Sequence, residues 1–193
     1  MNIGAGLDTT FYSIDNGSIR WYDLDLPNVI DIRRRLLPET DRTTSIARSI
    51  FDSSWYSEIK HTQNGVFLMA AGVLFYFDAA QGRQFFLSLA DNLPGAEIVF
   101  DTLPKLAVTF TNWNVRKAGM KGATVKWALR DANEITKWDS RDRSGSVVQK
   151  YPKRSFMGYR HSQIHGFQRQ VQDLEYFPFK SVIISISVAC QTG

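Results

Sequence analysis

The chain has 193 residues, of which 44% are hydrophobic and 13% aromatic, and its 23 Lys and Arg against 19 Asp and Glu leave a formal charge of +4. This content excludes a disordered or low-complexity chain and favours one domain over residues 1–193. A lone cysteine, Cys190, excludes an internal disulfide and fits a reducing compartment, so a cytoplasmic location is expected.

The N-terminus shows no basic segment followed by an apolar run. The best apolar stretch, SVIISISVAC, is about half of the roughly 20 residues that span a bilayer, so neither export nor membrane association is expected. Charge is unevenly spread: residues 1–115 hold 9 Lys and Arg against 13 Asp and Glu, and residues 116–193 hold 14 against 6. The basic C-terminal third forms no dense run and reads as a solvated surface, so nucleic acid is not an expected partner.

In chain order, a first strand is expected to end near residue 3, followed by a glycine-rich turn. SIRWYDLD (18–25) reads as a strand, and LPNVIDIRRRLLP (26–38) as a helix with Pro27 in its first turn and Pro38 at its stop. TTSIARSIF (43–51) is a third strand by its β-branched content. GVFLMAAG (65–72) is a continuous apolar run, as in a strand buried on both faces, and DAAQGRQFFLSLADNLPG (78–95) is a helix closed by Pro94 and Gly95. AEIVFDTL (96–103) is the next buried strand.

The spacing of 20 to 30 residues between strand ends is one βα unit each, and predicts an α/β fold with a mainly parallel sheet. Further on, Asp131 and Glu134 stand at capping-box spacing in a short helix over 131–138. Residues 139–170 are polar and weakly periodic, which predicts a loop or marginal helix, and SVIISISV (181–188) reads as a closing strand.

The chemistry is concentrated in NIGAGLDTTF. Glycines directly after a strand let backbone amides approach a ligand, because no Cβ intrudes and positive φ is accessible. Gly4 and Gly6 supply this turn. The dinucleotide fingerprint needs a third glycine where Thr9 stands, and no Gly-Lys-Ser/Thr follows, so NAD, FAD and a phosphate-cradling P-loop are disfavoured. The acid expected one βα unit later, on ribose hydroxyls, has two candidates in WYDLDLP: Asp23 and Asp25, the latter at the strand's carboxyl end.

Together, NIGAGLDTTF, WYDLDLPNVIDIRRRLLP and AAGVLFYF resemble the leucine carboxyl methyltransferase family, including its bacterial polyketide-type O-methyltransferase branch, over about residues 2–139. The resemblance implies a class I methyltransferase fold, Rossmann-like and three-layered, with an antiparallel closing strand, and dependence on S-adenosylmethionine. Gly4, Ala5 and Gly6 would form the turn under the cofactor's methionine part, Asp8 and Thr9 would complete and brace it, and Asp25 would hold the ribose hydroxyls. Asp52 matches the position that meets the adenine amino group, its alternative being a helix cap for SSWYSEIK. Tyr76 matches a residue lining the methyl-transfer pocket, its alternative being core packing.

The implied substrate is a small molecule methylated on a carboxylate or hydroxyl oxygen. A carboxylate needs no general base, and His61, His161 and His165 are poor candidates for one. The i,i+4 pair of His161 and His165 lacks an evident third metal ligand. A homo-oligomer is left open.

Two departures from the family are expected to matter. Ala71 stands where the family carries glutamate near the cofactor's amino group; the lost charge-assisted contact is worth about 1.5–3 kcal/mol. The family's helical N-terminal extension, whose basic residues grip the cofactor carboxylate, does not precede Met1, which leaves three explanations: a short paralogue, a fragment or mis-assigned start, or a partner chain that supplies the cover. The second function class is therefore a degenerate member acting as a binding or interaction module. The third is nucleic-acid binding through the basic region.

Overall fold

In the computed structural model of the chain, which describes residues 1–119, 123–129, 133–136, 138, 148–151 and 182–187, strands and helices alternate from the start. The order is β1 (Asn2–Ile3), α1 (Thr10–Ile14), β2 (Trp21–Asp25), α2 (Pro27–Leu36), β3 (Thr43–Ala47), β4 (Phe67–Ala70), α3 (Ala79–Asn92), β5 (Glu97–Thr102), α4 (Lys105–Lys117), α5 (Asn133–Thr136), β6 (Val148–Tyr151) and β7 (Val182–Ser187).

Local chemistry accounts for the boundaries. The Asn16 carboxamide accepts from the amides of Ser18 and Ile19 in the turn that delivers β2. Pro27 sits at the start of α2, where its missing N–H costs nothing, and the helix ends with the Leu37 amide bonded to Arg33 O. The third strand stops at Ala47 rather than running to 51: the Arg48 amide makes the last ladder bond, to Asp25 O at 2.9 Å, and beyond it the chain turns locally, with the Asp52 amide on Ser49 O at 3.0 Å. Asp78 and Gln81 form a reciprocal capping box that starts α3. Of the expected helix over 131–138, Asn133–Thr136 is helical, and the Asp131 cap lies outside the described residues.

The described strands form one seven-stranded sheet in the order β3-β2-β1-β4-β5-β7-β6. From β3 across to β5 all pairings are parallel, with Asn2 opposite Asp23 on one side and Met69 on the other. Beyond β5 the pairings are antiparallel, from Glu97 opposite Ser187 to Thr102 opposite Val182, and then β6 on β7. The strand β6 is a correction to the loop or marginal helix expected over 139–170. Among the described strands it lies at the end of the sheet, and its four residues, with Gln149 and Lys150 at the centre, are too few for an apolar alternation to mark it in the sequence.

Alternation along the strands places Ile3, Leu24, Ile46, Leu68, Ala70, Ile98 and Phe100 in one core with Trp55 and the Phe85, Phe86 and Leu89 face of α3. Met69, Val99 and Trp21 face the other side, against Phe11 of α1. No helix among the described residues is long and apolar enough to cross a membrane.

Strand order reverses between β1 and β4. In open α/β sheets a crevice forms at the carboxyl ends of strands flanking such a switch.

Candidate functional site

The loops leaving β1, β2 and β4 meet at that switch. Gly4 and Gly6 adopt φ of +66° and +49°, values open to glycine and strained for other residues. The amides of Gly4 and Ala5 donate to Leu24 O at 2.8 and 3.2 Å, tying the turn to β2. The Gly6 amide donates to Asp25 Oδ2 at 2.8 Å and the Leu26 amide to Asp25 Oδ1 at 2.7 Å. Asp25 thus joins the glycine turn to the end of β2, partly exposed, with Leu26 exposed beside it.

Asp8 closes the turn from the other side. Its carboxylate accepts from Asn2 Nδ2 at 3.0 Å and from the Thr10 amide and hydroxyl at 2.7 Å each. Thr9 caps α1 through its backbone only: no side-chain cap bond forms, and Thr9 O accepts from the Tyr12 amide at 3.1 Å.

The two acids of WYDLDLP separate cleanly. Asp23 is buried at 3% exposure, where it pairs with Arg33 at 2.7 Å and accepts from the Trp21 indole at 2.7 Å. Burial pushes its carboxyl above the usual range, against the pull of Arg33 and the indole. Arg33 in turn donates through Nη1 to Gly6 O at 3.0 Å and Asp8 O at 2.8 Å. Sequence reasoning did not single out Arg33: it stands in a run of three arginines, and its burial, unlike the exposure of Arg34 and Arg35, becomes visible only in the packed helix.

The loop after β4 lies across the glycine turn. A Cβ added at Gly4 would fall 2.3 Å from Val73 Cγ2, so the valine occupies the space that the glycine leaves. At Gly6 an added Cβ meets nothing within 4 Å, so open space adjoins the turn there. Gly72, at φ +71°, donates its amide to Asp101 Oδ1 at 2.7 Å. Asp101 is buried at the end of β5, and burial pushes its carboxyl above the ordinary value. Ala71 is partly buried and contributes no polar group.

Tyr76 ends a 3-10 turn, Leu74–Tyr76, in which Leu74 and Phe75 are buried while Tyr76 is 38% exposed. Core packing therefore falls to its two neighbours. Asp52 caps the 3-10 segment Ser53–Glu58, accepting from the Ser54 amide at 3.0 Å and from its hydroxyl, with Arg48 at 3.3 Å. The Ser54 hydrogen bonds hold its carboxyl below the usual range.

A cavity of about 610 Å³ opens at the opposite, amino end of the sheet, among Met1, Trp21, Tyr22, Phe67 and Glu97 at the strand starts. It lies away from the glycine turn. His61 is exposed, and His161 and His165 lie outside the described residues. No group of three or more metal-ligating side chains occurs among the described residues.

No protein-family model matches the chain. In sequence it is 25% identical over 136 residues, 70% of its length, to the tetracenomycin polyketide synthesis O-methyltransferase TcmP of Streptomyces glaucescens. The chain spans about half of that relative. In structure it resembles LepI in complex with S-adenosylmethionine, at a TM-score of 0.57 and 16% identity over 97% of this chain and 42% of that one. An O-methyltransferase family protein from Burkholderia thailandensis matches at 0.55 and 14% identity, over 98% of this chain and 50% of the other. The methyltransferase domain of bacterial CtHen1 matches at 0.58 and 13% identity, over 98% and 88%. The chain therefore has the α/β fold of S-adenosylmethionine-dependent methyltransferases.

Proposed function

We propose that the chain binds S-adenosylmethionine at the β1/β4 switch and directs methyl transfer to an oxygen of a small molecule, as a member of the leucine carboxyl methyltransferase family's polyketide-type branch. The observation that carries this reading is the Gly6–Asp25 bond: a positive-φ glycine turn held to an acid at the end of the next strand, with open space beside it. The likeness to a polyketide O-methyltransferase over 70% of the chain supports the same class.

In this reading Gly4, Ala5 and Gly6 approach the cofactor's methionine part through backbone, with Asp8 and Thr9 completing the turn. Asp25 binds the ribose hydroxyls, exchanging its bond from the Gly6 amide or sharing it, and exposed Leu26 lies against the base. Asp52 meets the adenine amino group while still capping its 3-10 segment. Tyr76 faces the transfer pocket, and Ala71 sits where a carboxylate would have paired the cofactor's amino group. When bound, the cofactor supplies an electrophilic methyl on a sulfonium, so the protein's share is alignment of the acceptor oxygen. A carboxylate acceptor is already ionised near neutral pH and needs no general base, whereas a hydroxyl would.

Ala71 also supports a second reading, a non-catalytic binding module on the same scaffold. Titration with S-adenosylhomocysteine tests the first. At one hundred times its dissociation constant a ligand adds about 2.7 kcal/mol. For a chain of this length that raises the Tm by roughly 5–11 °C. No rise at millimolar ligand would overturn the cofactor reading.

A further inference from the structure

We propose that Arg33 is a positioning residue for the glycine turn, and that Asp23 is the buried counter-charge that aims it. The inference rests on the cofactor reading for its purpose, and on geometry for its mechanism.

A buried guanidinium is costly unless its charge is paired and its donors are used. Arg33, 4% exposed, meets both conditions in two directions. Its Nε and Nη2 donate to Asp23 Oδ2 at 3.1 and 2.7 Å, and Asp23 is itself held by the Trp21 indole. Its Nη1 donates to the carbonyls of Gly6 and Asp8 at 3.0 and 2.8 Å. The rigid fork thus spans from a strand side chain to two peptide groups of the turn, which a lysine ammonium cannot reproduce.

The consequence follows from the trans peptide. With the Gly6 and Asp8 carbonyls turned toward Arg33, the N–H groups of Leu7 and Thr9 point away from it. Arg33 therefore fixes which face of the turn presents amides. The neighbouring Arg34 serves a different end: its side chain is half-exposed and binds Glu39 and Ser45 O.

Arg33→Lys and Arg33→Gln test the assignment, each compared with wild type below its unfolding transition. Positioning predicts that folded Arg33→Lys binds S-adenosylhomocysteine about tenfold or more weakly, the loss expected for one charge-assisted hydrogen bond. It also predicts faster hydrogen exchange at the Leu7 and Thr9 amides while the amides of β5 keep wild-type rates. A residue that only supports the core would lower Tm and leave the dissociation constant of the folded protein unchanged, and that result overturns the proposal. Should wild type bind no S-adenosylhomocysteine, the cofactor reading falls, and loop exchange still decides whether Arg33 holds the turn. Should neither variant fold, nitrogen NMR of wild type decides: slowly exchanging Arg33 guanidinium protons support the strut, and freely exchanging ones overturn it.

Discussion

Replacing Gly4 by alanine separates two costs that the glycine turn combines. An L-residue in the left-handed region costs about 1–2 kcal/mol, and Gly4 sits at φ +66°. The new Cβ would also lie 2.3 Å from Val73 Cγ2 and 3.3 Å from its Cγ1, and forcing a methyl into a packed contact costs about 1–3 kcal/mol. Gly4→Ala should therefore destabilise by about 2–5 kcal/mol, a fall in Tm of roughly 4–20 °C for a chain of this length. Gly6→Ala provides the control, because at φ +49° with no atom within 4 Å it carries the strain alone, about 1–2 kcal/mol. Urea denaturation of both variants, of Val73→Ala alone and of Gly4→Ala combined with Val73→Ala isolates the contact as a coupling of about 1–3 kcal/mol. The account of Val73 covering the turn fails if Gly4→Ala costs no more than Gly6→Ala. It fails equally if the coupling is below about 0.5 kcal/mol, the size of ordinary non-additivity.

Asp101→Asn should keep the bond from the Gly72 amide, since an amide oxygen still accepts, and remove the titrating carboxyl that burial pushes above its ordinary 3.8. A raised folded value means that the native state retains the proton after the unfolded chain has lost it, so Asp101 favours folding below 3.8 and loses that contribution as pH rises through the raised value. The Asp101→Asn variant should flatten this acid-side slope in urea midpoints and be at least as stable as wild type at neutral pH; an unchanged slope would refute it. Ala71→Glu should tighten S-adenosylhomocysteine by about 10–100-fold, one charge-assisted bond, as read by calorimetry. An unchanged affinity would favour the binding-module reading.

Elements whose own residues carry their signal were legible in the sequence. Pro27 and Pro38 frame α2, Asp78 with Gln81 starts α3, and the apolar run from Ile98 to Phe100 lies within β5, each inside the expected bounds. Elements stabilised from outside were not. The strand β6 has only four residues, two of them Gln149 and Lys150, and α4 exposes Leu106, Phe110 and Trp113, which blurs the helical period that its buried Ala107 and Val115 would otherwise show. The site divides in the same way. Spacing alone put Gly4, Gly6 and Asp25 forward, and the structure brings them together. Position at the strand's carboxyl end favoured Asp25 over Asp23; what spacing could not show is Arg33, which pairs with Asp23 at 2.7 Å from α2.

Both loops at the switch are hydrogen-bonded to buried ionisable groups. Arg33 and Asp23 hold the turn after β1, and Asp101 holds the turn after β4 through Gly72. Loop shape is thereby set by the scaffold and not by a bound ligand, which lowers the ordering cost of binding. The departure at position 71 is read differently in that light. Because the Gly72 amide is held by Asp101 whichever residue precedes it, the contact proposed to be missing at Ala71 would be lost without releasing the loop. On the proposed reading, affinity lost at position 71 would be recovered by one side chain, whereas affinity lost at Arg33 would need the fork geometry itself, and ranking Ala71→Glu and Arg33→Lys in one calorimetric series separates a weakened site from a dismantled one.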